Sequence, residues 1–461
     1  MSKDLEDNKC DTLRSIEQKN SSSFSDEELS DLQRIADTPI NKLISEDNKN
    51  LLIFPHSFED CQDQIGEKSI LSLKYQWKEN HRIPVSLETG NIMGFIGINN
   101  TQLDIKSRFA KADKEDFFLH YMLQKVYSIN LFDLQHNTNE SNIFDFLLYL
   151  FSKFLKDALS QGLYKRYCHK EYNDANVRGA IDVNRHTRFN RPFNGKVAYH
   201  THEFSYDNPL TELIRHTVEF IRGHKQGNVI LSNNEEIKDA VAQITYATPS
   251  YNKSQRVQVI NQNLRPISHP YFNKYTALQK ICLQIIRHEG LKYGKNDNKI
   301  YGVLFDGAWL WEEYLNTILH QLNFKHPQNN KRKDPVYLFQ GKRYSRYPDF
   351  YINNQIVLDA KYKQLKARQI DRNDMHQIIS YMHILETPYG GFIHPQSIDD
   401  KGNNRIKISI GELNGSAPSE ILLYTFPIPL SDTWVDFQAE MYKMEEKLKD
   451  EIIIILSLLS R

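Results

Sequence analysis

The stretch that most constrains the chain is Tyr344 to Lys363, YSRYPDFYINNQIVLDAKYK. Two runs rich in Tyr, Phe, Ile and Val flank Asn353-Asn354. Asparagine tolerates the left-handed backbone of a tight turn, so the stretch predicts a β-hairpin. Asp349 follows Pro348 and ends the approach to the first strand. Asp359 lies on the returning strand, which brings it near Asp349. Side chains two apart on a strand share a face, so Asp359 and Lys361 project together and Ala360 points away. Two carboxylates and an ammonium gathered this way suit hydrolysis of a phosphodiester. The carboxylates would hold Mg2+, a hard cation that takes oxygen ligands and keeps several waters. Such an ion lowers the pKa of a bound water and steadies a leaving oxygen. Lys361 would orient or deprotonate that water and offset transition-state charge. On this reading Asp359 is exposed in a cleft.

The spacing P-D-(x)9-D-A-K resembles the signature of PD-(D/E)XK nucleases at its defining positions. Formal net charge is zero, from 58 basic and 58 acidic residues, which argues against a protein that coats nucleic acid with its whole surface. The charge is local instead. From Lys325 to Arg372 there are twelve Lys or Arg against four Asp. A basic rim attracts phosphates while an acidic centre holds metal.

A chain of 461 residues predicts two or three domains. The 40% hydrophobic and 25% charged fractions are those of a globular protein. No run of about 18 apolar residues predicts a membrane span. The polar start MSKDLEDNKC does not read as a secretory signal. Cys10, Cys61, Cys168 and Cys282 are scattered and form neither a zinc motif nor a disulfide framework, so a reducing cytoplasm is expected, a prokaryotic one on the family resemblance given below.

Residues 1–48 read as a polar extension carrying one helix, opened by a Ser25/Glu28 capping box with Phe24 stapled to Leu29. Short strands follow to about residue 115, punctuated by Gly94, Gly97 and Asn99-Asn100. Helical aromatic stripes run from Glu115 to about Tyr167. A basic run, Arg185, Arg188 and Arg191, suits nucleic acid, a protein partner or a solvated loop. Asp207-Asn208-Pro209 opens a further helix. The C-terminal domain is expected to start near Gly294, with VLFDGAWLWEEYL as a strand or loop feeding a helix. Glu312 in that helix is a candidate third acid. After the hairpin, DMHQIISYMHIL reads as a helix on which Gln377 and Tyr381, four apart, share a face. Trp434, Phe437, Met441, Met444, Leu448 and Ile452 mark a final amphipathic helix, expected to pack on this domain or on a partner.

The order of these pieces resembles the McrC-like nuclease subunits of McrBC- and LlaJI-type restriction systems. The resemblance runs from about Gly94 to Pro395 and includes GFIGINNTQLDIKSRF, GLYKRY, VRGAIDV, YDNPLTELI, LFDGAWLWEEYL, YPDF, VLDAKYK, HQIISYMHIL and GGFIHP. It implies an endonuclease that cuts double-stranded DNA when a AAA+ motor subunit hydrolyses GTP. It implies docking through the N-terminal region on the pore of the motor ring, and stimulation of GTP hydrolysis there. DNA recognition, often of modified cytosine, would lie in the motor subunit. Carried onto this chain, the catalytic positions are Asp349, Asp359, Lys361, Glu312, Gln377 and Tyr381. The metal positions are Asp349, Asp359, Ala360 and Glu312, for Mg2+ with Mn2+ as a substitute. GTP belongs to the partner, since no GxxxxGK[ST] occurs here. Residues 1–48 and the last helix have no evident counterpart in the family pattern. A dimer of such complexes is a further expectation.

The expected architecture is a multidomain α+β and α/β chain. A polar extension (1–48) precedes a β-rich and helical docking region (49–293). A PD-(D/E)XK nuclease domain with a central mixed sheet flanked by helices (294–430) and a C-terminal helix (431–461) complete it. The alternative reading is a regulatory adaptor that assembles and stimulates a AAA+ ring, with nuclease activity secondary.

Overall fold

The computed structural model describes residues 2–20, 23–44, 50–55, 64–78, 81–99, 101–110, 116–127, 141–224, 227–232, 235–291, 300–329, 332–367, 369–398, 406–414 and 419–459. The chain forms two compact units, one from Met1–Leu131 with Asn296–Arg461, the other from Phe132–Lys295. Both contribute to a mixed α/β architecture.

The first unit is built on two five-stranded sheets. The N-terminal sheet has the order Ser2–Glu6, Thr101–Lys106, Ile92–Ile98, Ile300–Asp306, Asn50–Phe54. Its fourth strand comes from the far end of the sequence. Ile300–Asp306 pairs antiparallel with Ile92–Ile98 and parallel with Asn50–Phe54. The segment expected to open a separate C-terminal domain therefore completes the N-terminal sheet. Gly94 and Gly97 lie inside Ile92–Ile98 rather than in turns. Gly94 sits at φ 123, and a Cβ there would meet the carbonyl of Val303, so close strand packing requires the bare backbone.

Residues 1–48 are not an extension among the described positions. Ser2–Glu6 is an edge strand of the sheet, parallel to Thr101–Lys106. Leu5, Leu13, Ile16, Leu32, Ile35, Ile40 and Leu43 are buried in the same hydrophobic core as Leu51, Ile53, Ile96 and Leu304. Polar residues between these positions mask an apolar set that is spaced to one face. The expected capping box is present: Ser25 Oγ accepts from the Glu28 amide at 3.2 Å, and Glu28 accepts from the Ser25 amide at 3.0 Å. Phe24 and Leu29 pack against the core.

The second sheet has the order Phe350–Ile352, Ile356–Ala360, Tyr389–Ser397, Glu420–Ile428, Lys407–Glu412. The hairpin pair is antiparallel, the next two pairings are parallel, and the last is antiparallel. One face, with Val357, Phe392, Ile421 and Leu423, buries Ile378, Tyr381, Met382 and Leu385 of helix Arg372–Leu385. The other face presents Phe426, which meets Trp311 and Tyr314 of helix Gly307–Leu319 at ring distances of 5.8 and 6.0 Å.

Helix Trp434–Leu459 packs on this same unit. Phe437, Met441, Met444, Leu448 and Ile452 are buried along one stripe. Buried Glu445 fixes the register: its carboxylate accepts from Tyr121 Oη at 2.9 Å and Tyr314 Oη at 2.8 Å, and pairs with Lys125 Nζ at 2.9 Å. A buried charge persists only when paired and hydrogen-bonded.

The second unit packs helix Lys274–Leu291 against Ser141–Leu159 and Pro209–Arg222. Asn208 caps the last of these, with Pro209 in its first turn. Beside the helices stands an antiparallel sheet of order Arg166–Asp174, Val197–Ser205, Ala180–Ile181.

Glu445→Ala should lower the unfolding free energy by about 2–4 kcal/mol, because it strands two tyrosine hydroxyls and an ammonium. Glu445→Gln, which keeps an acceptor, should cost less. Urea unfolding followed by circular dichroism measures both; equal stability of Glu445→Ala and wild type would refute the anchoring role.

Candidate active site

The hairpin forms where its sequence predicts. Phe350–Ile352 and Ile356–Ala360 pair in register, and Asn354 takes φ 59 in the turn between them. It is shorter than the stretch Tyr344–Lys363, because Arg343–Arg346 belongs to a different strand pair. Pairing with Tyr389–Ser397 through Phe392 and Ile393 holds Asp359 and Ala360 at the sheet's interior.

Asp349 enters just before the first strand. Its Oδ2 accepts from the Ala360 amide at 2.7 Å, which ties the two strands at the point where both acids lie. Lys361 Nζ is 2.8 Å from Asp359 Oδ2. Asp359 is not exposed in a cleft: only 2% of it is accessible. Its place on a strand paired on both sides accounts for that.

Helix Arg372–Leu385 supplies the next layer. Gln377 Oε1 accepts from Lys361 Nζ at 3.4 Å, and Gln377 Nε2 donates to Tyr381 Oη at 3.0 Å. Tyr381 Oη then donates to the Tyr347 carbonyl at 3.3 Å. Gln377 and Tyr381 thus share a face and reach the lysine and the approach to Asp349. The same helix places Asp374 at 3.0 Å from Lys361 and 2.6 Å from Lys363. Sequence reasoning passed over Asp374, although it lies three residues before Gln377 and seven before Tyr381, on their side of the helix.

Glu312 is placed differently. Glu312 and its neighbour Glu313 each stand 3.8 Å from a ring nitrogen of His326. His326 Nδ1 is 2.8 Å from the Asp349 carbonyl, and its ring stacks on Phe350 at 4.9 Å. Lys325 exchanges two backbone hydrogen bonds with Tyr351, so the segment runs along the hairpin edge and carries His326 to Asp349. No local pattern around His326 marks this; the edge pairing is long-range.

The electrostatics follow from crowding. Burial, then repulsion from Asp359, pushes the Asp349 carboxyl up to about 7. Burial also raises Asp359, against the pull of Lys361. Burial disfavours the Lys361 ammonium, but Asp359 outweighs it and the net shift is upward. Lys361 therefore stands as a cation, suited to offset charge rather than to take a proton. Burial works against the Asp374 carboxylate too, and the two lysines overcome it, leaving its pKa lowered.

Two neighbouring carboxylates held against their own repulsion match the donor set of a Mg2+ site, which uses one or two carboxylates and retains waters. Among the described residues no group of three or more His, Cys, Asp or Glu side chains is arranged to hold an ion. An ion here would be held by Asp349 and Asp359 alone among the described side chains.

A carboxyl whose folded pKa lies above its unfolded value contributes stability at low pH that is lost as pH rises through the folded value. In chelator, wild type should lose stability at this pair between about pH 4 and pH 7. Asp349→Asn should therefore be more stable than wild type at pH 8, with the gap closing by pH 5. Chemical denaturation at the two pH values checks this; a gap of the opposite sign would contradict it.

The family described as McrBC 5-methylcytosine restriction system component has a model that matches residues 87–395. No curated protein matches the chain. Among solved structures, a chain in the refined half-complex from the tetradecameric assembly of Thermococcus gammatolerans McrB AAA+ hexamers with bound McrC is similar. It is 16% identical at a TM-score of 0.50, covering 98% of this chain and 100% of that one. That coverage leaves no room for 48 residues at the start and a long final helix without structural counterparts. The Thermococcus gammatolerans McrBC complex solved by cryo-EM also matches, at 16% identity and a TM-score of 0.34, over 71% of this chain and 90% of that one. The match from residue 87 to 395 spans well over half the chain, and the protein belongs to the McrBC 5-methylcytosine restriction system component family.

Proposed function

We propose that this chain is the nuclease subunit of a McrBC-like restriction or anti-phage system, a PD-(D/E)XK endonuclease that hydrolyses phosphodiesters in double-stranded DNA. The observation that carries the reading is the convergence of Asp349, Asp359 and Lys361 at the end of strand Ile356–Ala360 in a mixed sheet, with Lys361 Nζ 2.8 Å from Asp359. Asp349, Asp359 and the Ala360 carbonyl would hold Mg2+, or Mn2+ in its place, and Glu312 would approach from its helix beside His326. When bound, the ion supplies a Lewis acid that polarises the scissile phosphate and lowers the pKa of water.

The chain's own residues do the rest. Lys361 keeps its proton and sits where the phosphate's developing charge needs a cation. Asp374 and Gln377 fix that ammonium from the helix side, and Tyr381 fixes Gln377. The oxygens of a phosphodiester brought to this edge would thus meet a positioned cation rather than mobile solvent, which reduces the reorganisation that hydrolysis demands.

A partner is part of the proposal. The similar McrC chain is bound to McrB AAA+ hexamers. By analogy this subunit would dock on a AAA+ GTPase ring, stimulate its GTP hydrolysis and be triggered by it. The sheet Arg166–Asp174, Ala180–Ile181 and Val197–Ser205 in the second unit offers a surface for docking. Tyr167 and Phe204 are exposed on it, and Arg188, Phe189, Arg191 and Phe193 are exposed in the helix and loop between its second and third strands in sequence. That surface also supports the adaptor reading, in which stimulation of the ring is the main task.

Asp359→Asn should reduce Mg2+-dependent cleavage of duplex DNA, assayed with the cognate ring and GTP, by about a thousandfold or more. Asp349→Ala should do the same while leaving stimulation of the ring's GTPase intact. Undiminished cleavage by a well-folded Asp359→Asn would sink the nuclease assignment. Loss of GTPase stimulation in Asp349→Ala would place both tasks on one surface.

A further inference from the structure

Directly before Asp349 the chain makes a second, smaller strand pair. Val336–Phe339 and Arg343–Arg346 run antiparallel, with Val336 opposite Arg346, Tyr337 opposite Ser345 and Phe339 opposite Arg343. Gly341 and Lys342 both have positive φ, 78 and 57, as a tight hairpin tip requires. The pair joins neither five-stranded sheet. Every residue from Phe339 to Arg346 is exposed. Its base is anchored: Val336 packs on the core beneath helix Arg372–Leu385, and the Tyr347 carbonyl accepts from Tyr381 of that helix. The ribbon is therefore rooted in the hydrogen-bond chain that runs back through Gln377 to Lys361.

What the ribbon displays is specific. Arg332, Lys333, Lys342, Arg343 and Arg346 stand against a single acid, Asp334, in the segment from Arg332 to Arg346. Two large rings stay in solvent: Phe339 is 52% and Tyr344 66% accessible, and they meet edge to face at 5.5 Å. Tyr344 holds φ 56, a left-handed conformation uncommon for an aromatic residue. Exposed rings and guanidinium groups on a free ribbon contribute little to the core of the unit.

We propose that this ribbon is a duplex-DNA-binding arm that lies in a groove of the substrate and aligns the scissile strand with Asp349 and Asp359. The proposal rests on the nuclease reading and names the surface through which that site holds its substrate. A two-stranded ribbon matches the width of the major groove. The four strand residues Arg343–Arg346 extend about 13 Å at a rise of roughly 3.3 Å each. That covers about four base-pair steps of 3.4 Å. Lys342, Arg343 and Arg346 would meet phosphates, and Phe339 and Tyr344 would pack on sugars and base edges. An acidic protein would satisfy the cations, but it offers no counterpart to a groove-sized ribbon that ends on a phosphodiester-hydrolysing centre.

The test is equilibrium binding of the full chain to a fluorescent duplex in chelator, across a salt series. The triple variant Lys342→Ala/Arg343→Ala/Arg346→Ala should bind at least about tenfold more weakly, with a log K against log salt slope shallower by about 3. Tyr344→Ala should weaken binding several-fold and leave the slope unchanged. All four side chains are exposed, so melting temperatures should match wild type and confirm that the variants fold. Wild-type affinity and slope in the triple variant would overturn the proposal. So would polyglutamate displacing the duplex as effectively as unlabelled duplex of equal charge. Binding that depends on the ribbon, with no cleavage by wild type plus ring, GTP and Mg2+, would retain the arm and reject the nuclease reading. Cleavage and binding that ignore the ribbon would do the reverse.

Discussion

The arrangement at the hairpin depends on one electrostatic fact: two carboxylates, Asp359 buried and Asp349 partly buried, are crowded together and face one committed ammonium. Lys361 lies within 3.0 Å of both Asp359 and Asp374, so its charge is shared before any ligand arrives. Asp349 accepts from the Ala360 amide and feels Lys361 and His326 more weakly than it feels burial and Asp359. The acid pair is consequently left short of positive charge, and its carboxyls are pushed upward by burial. A divalent cation relieves such a deficit directly, whereas an apolar replacement would relieve it without function. The surrounding elements hold this unfavourable pair in place. Parallel pairing with Tyr389–Ser397 fixes the strand carrying Asp359, and helix Arg372–Leu385 fixes Lys361.

The N-terminal sheet supports the same centre from behind. Ile300–Asp306 is a strand of that sheet, and Asp306 caps helix Gly307–Leu319. That helix carries Glu312 and Glu313 to His326 and lays Trp311 and Tyr314 on the second sheet. Tyr362, next to Lys361, reaches the N-terminal part of the same unit, with its hydroxyl 3.2 Å from Met93 Sδ and the Arg108 guanidinium over its ring. The site and the N-terminal sheet therefore belong to one compact unit rather than to successive domains.

What was legible in the sequence was local. The turn at Asn353-Asn354, the Ser25 cap, the Asn208-Pro209 helix start and the facing of Gln377 with Tyr381 each depend on a few adjacent residues. Two-residue alternation placed Asp359 and Lys361 on one face, and the structure places their charged atoms together. What was not legible was set by pairing between distant segments. Nothing around Ile300 announces that its partners are Asn50–Phe54 and Ile92–Ile98. The insertion of Phe132–Lys295 between halves of one unit is invisible to a reading in chain order. The polar composition of residues 1–48 concealed the apolar face that makes them core. His326 escaped for the same reason, since only the edge pairing of Lys325 with Tyr351 brings it to Asp349.

The central claim is that Asp349 and Asp359 form a divalent-cation site. Mn2+ binding to the full chain, followed by electron paramagnetic resonance of the free ion at pH 8, tests it without reference to cleavage or to a partner. The account predicts saturable binding to wild type that weakens steeply as pH falls through about 7, and loss of that site in Asp349→Asn. Equal Mn2+ binding by wild type and Asp349→Asn, or no binding by either, would contradict it.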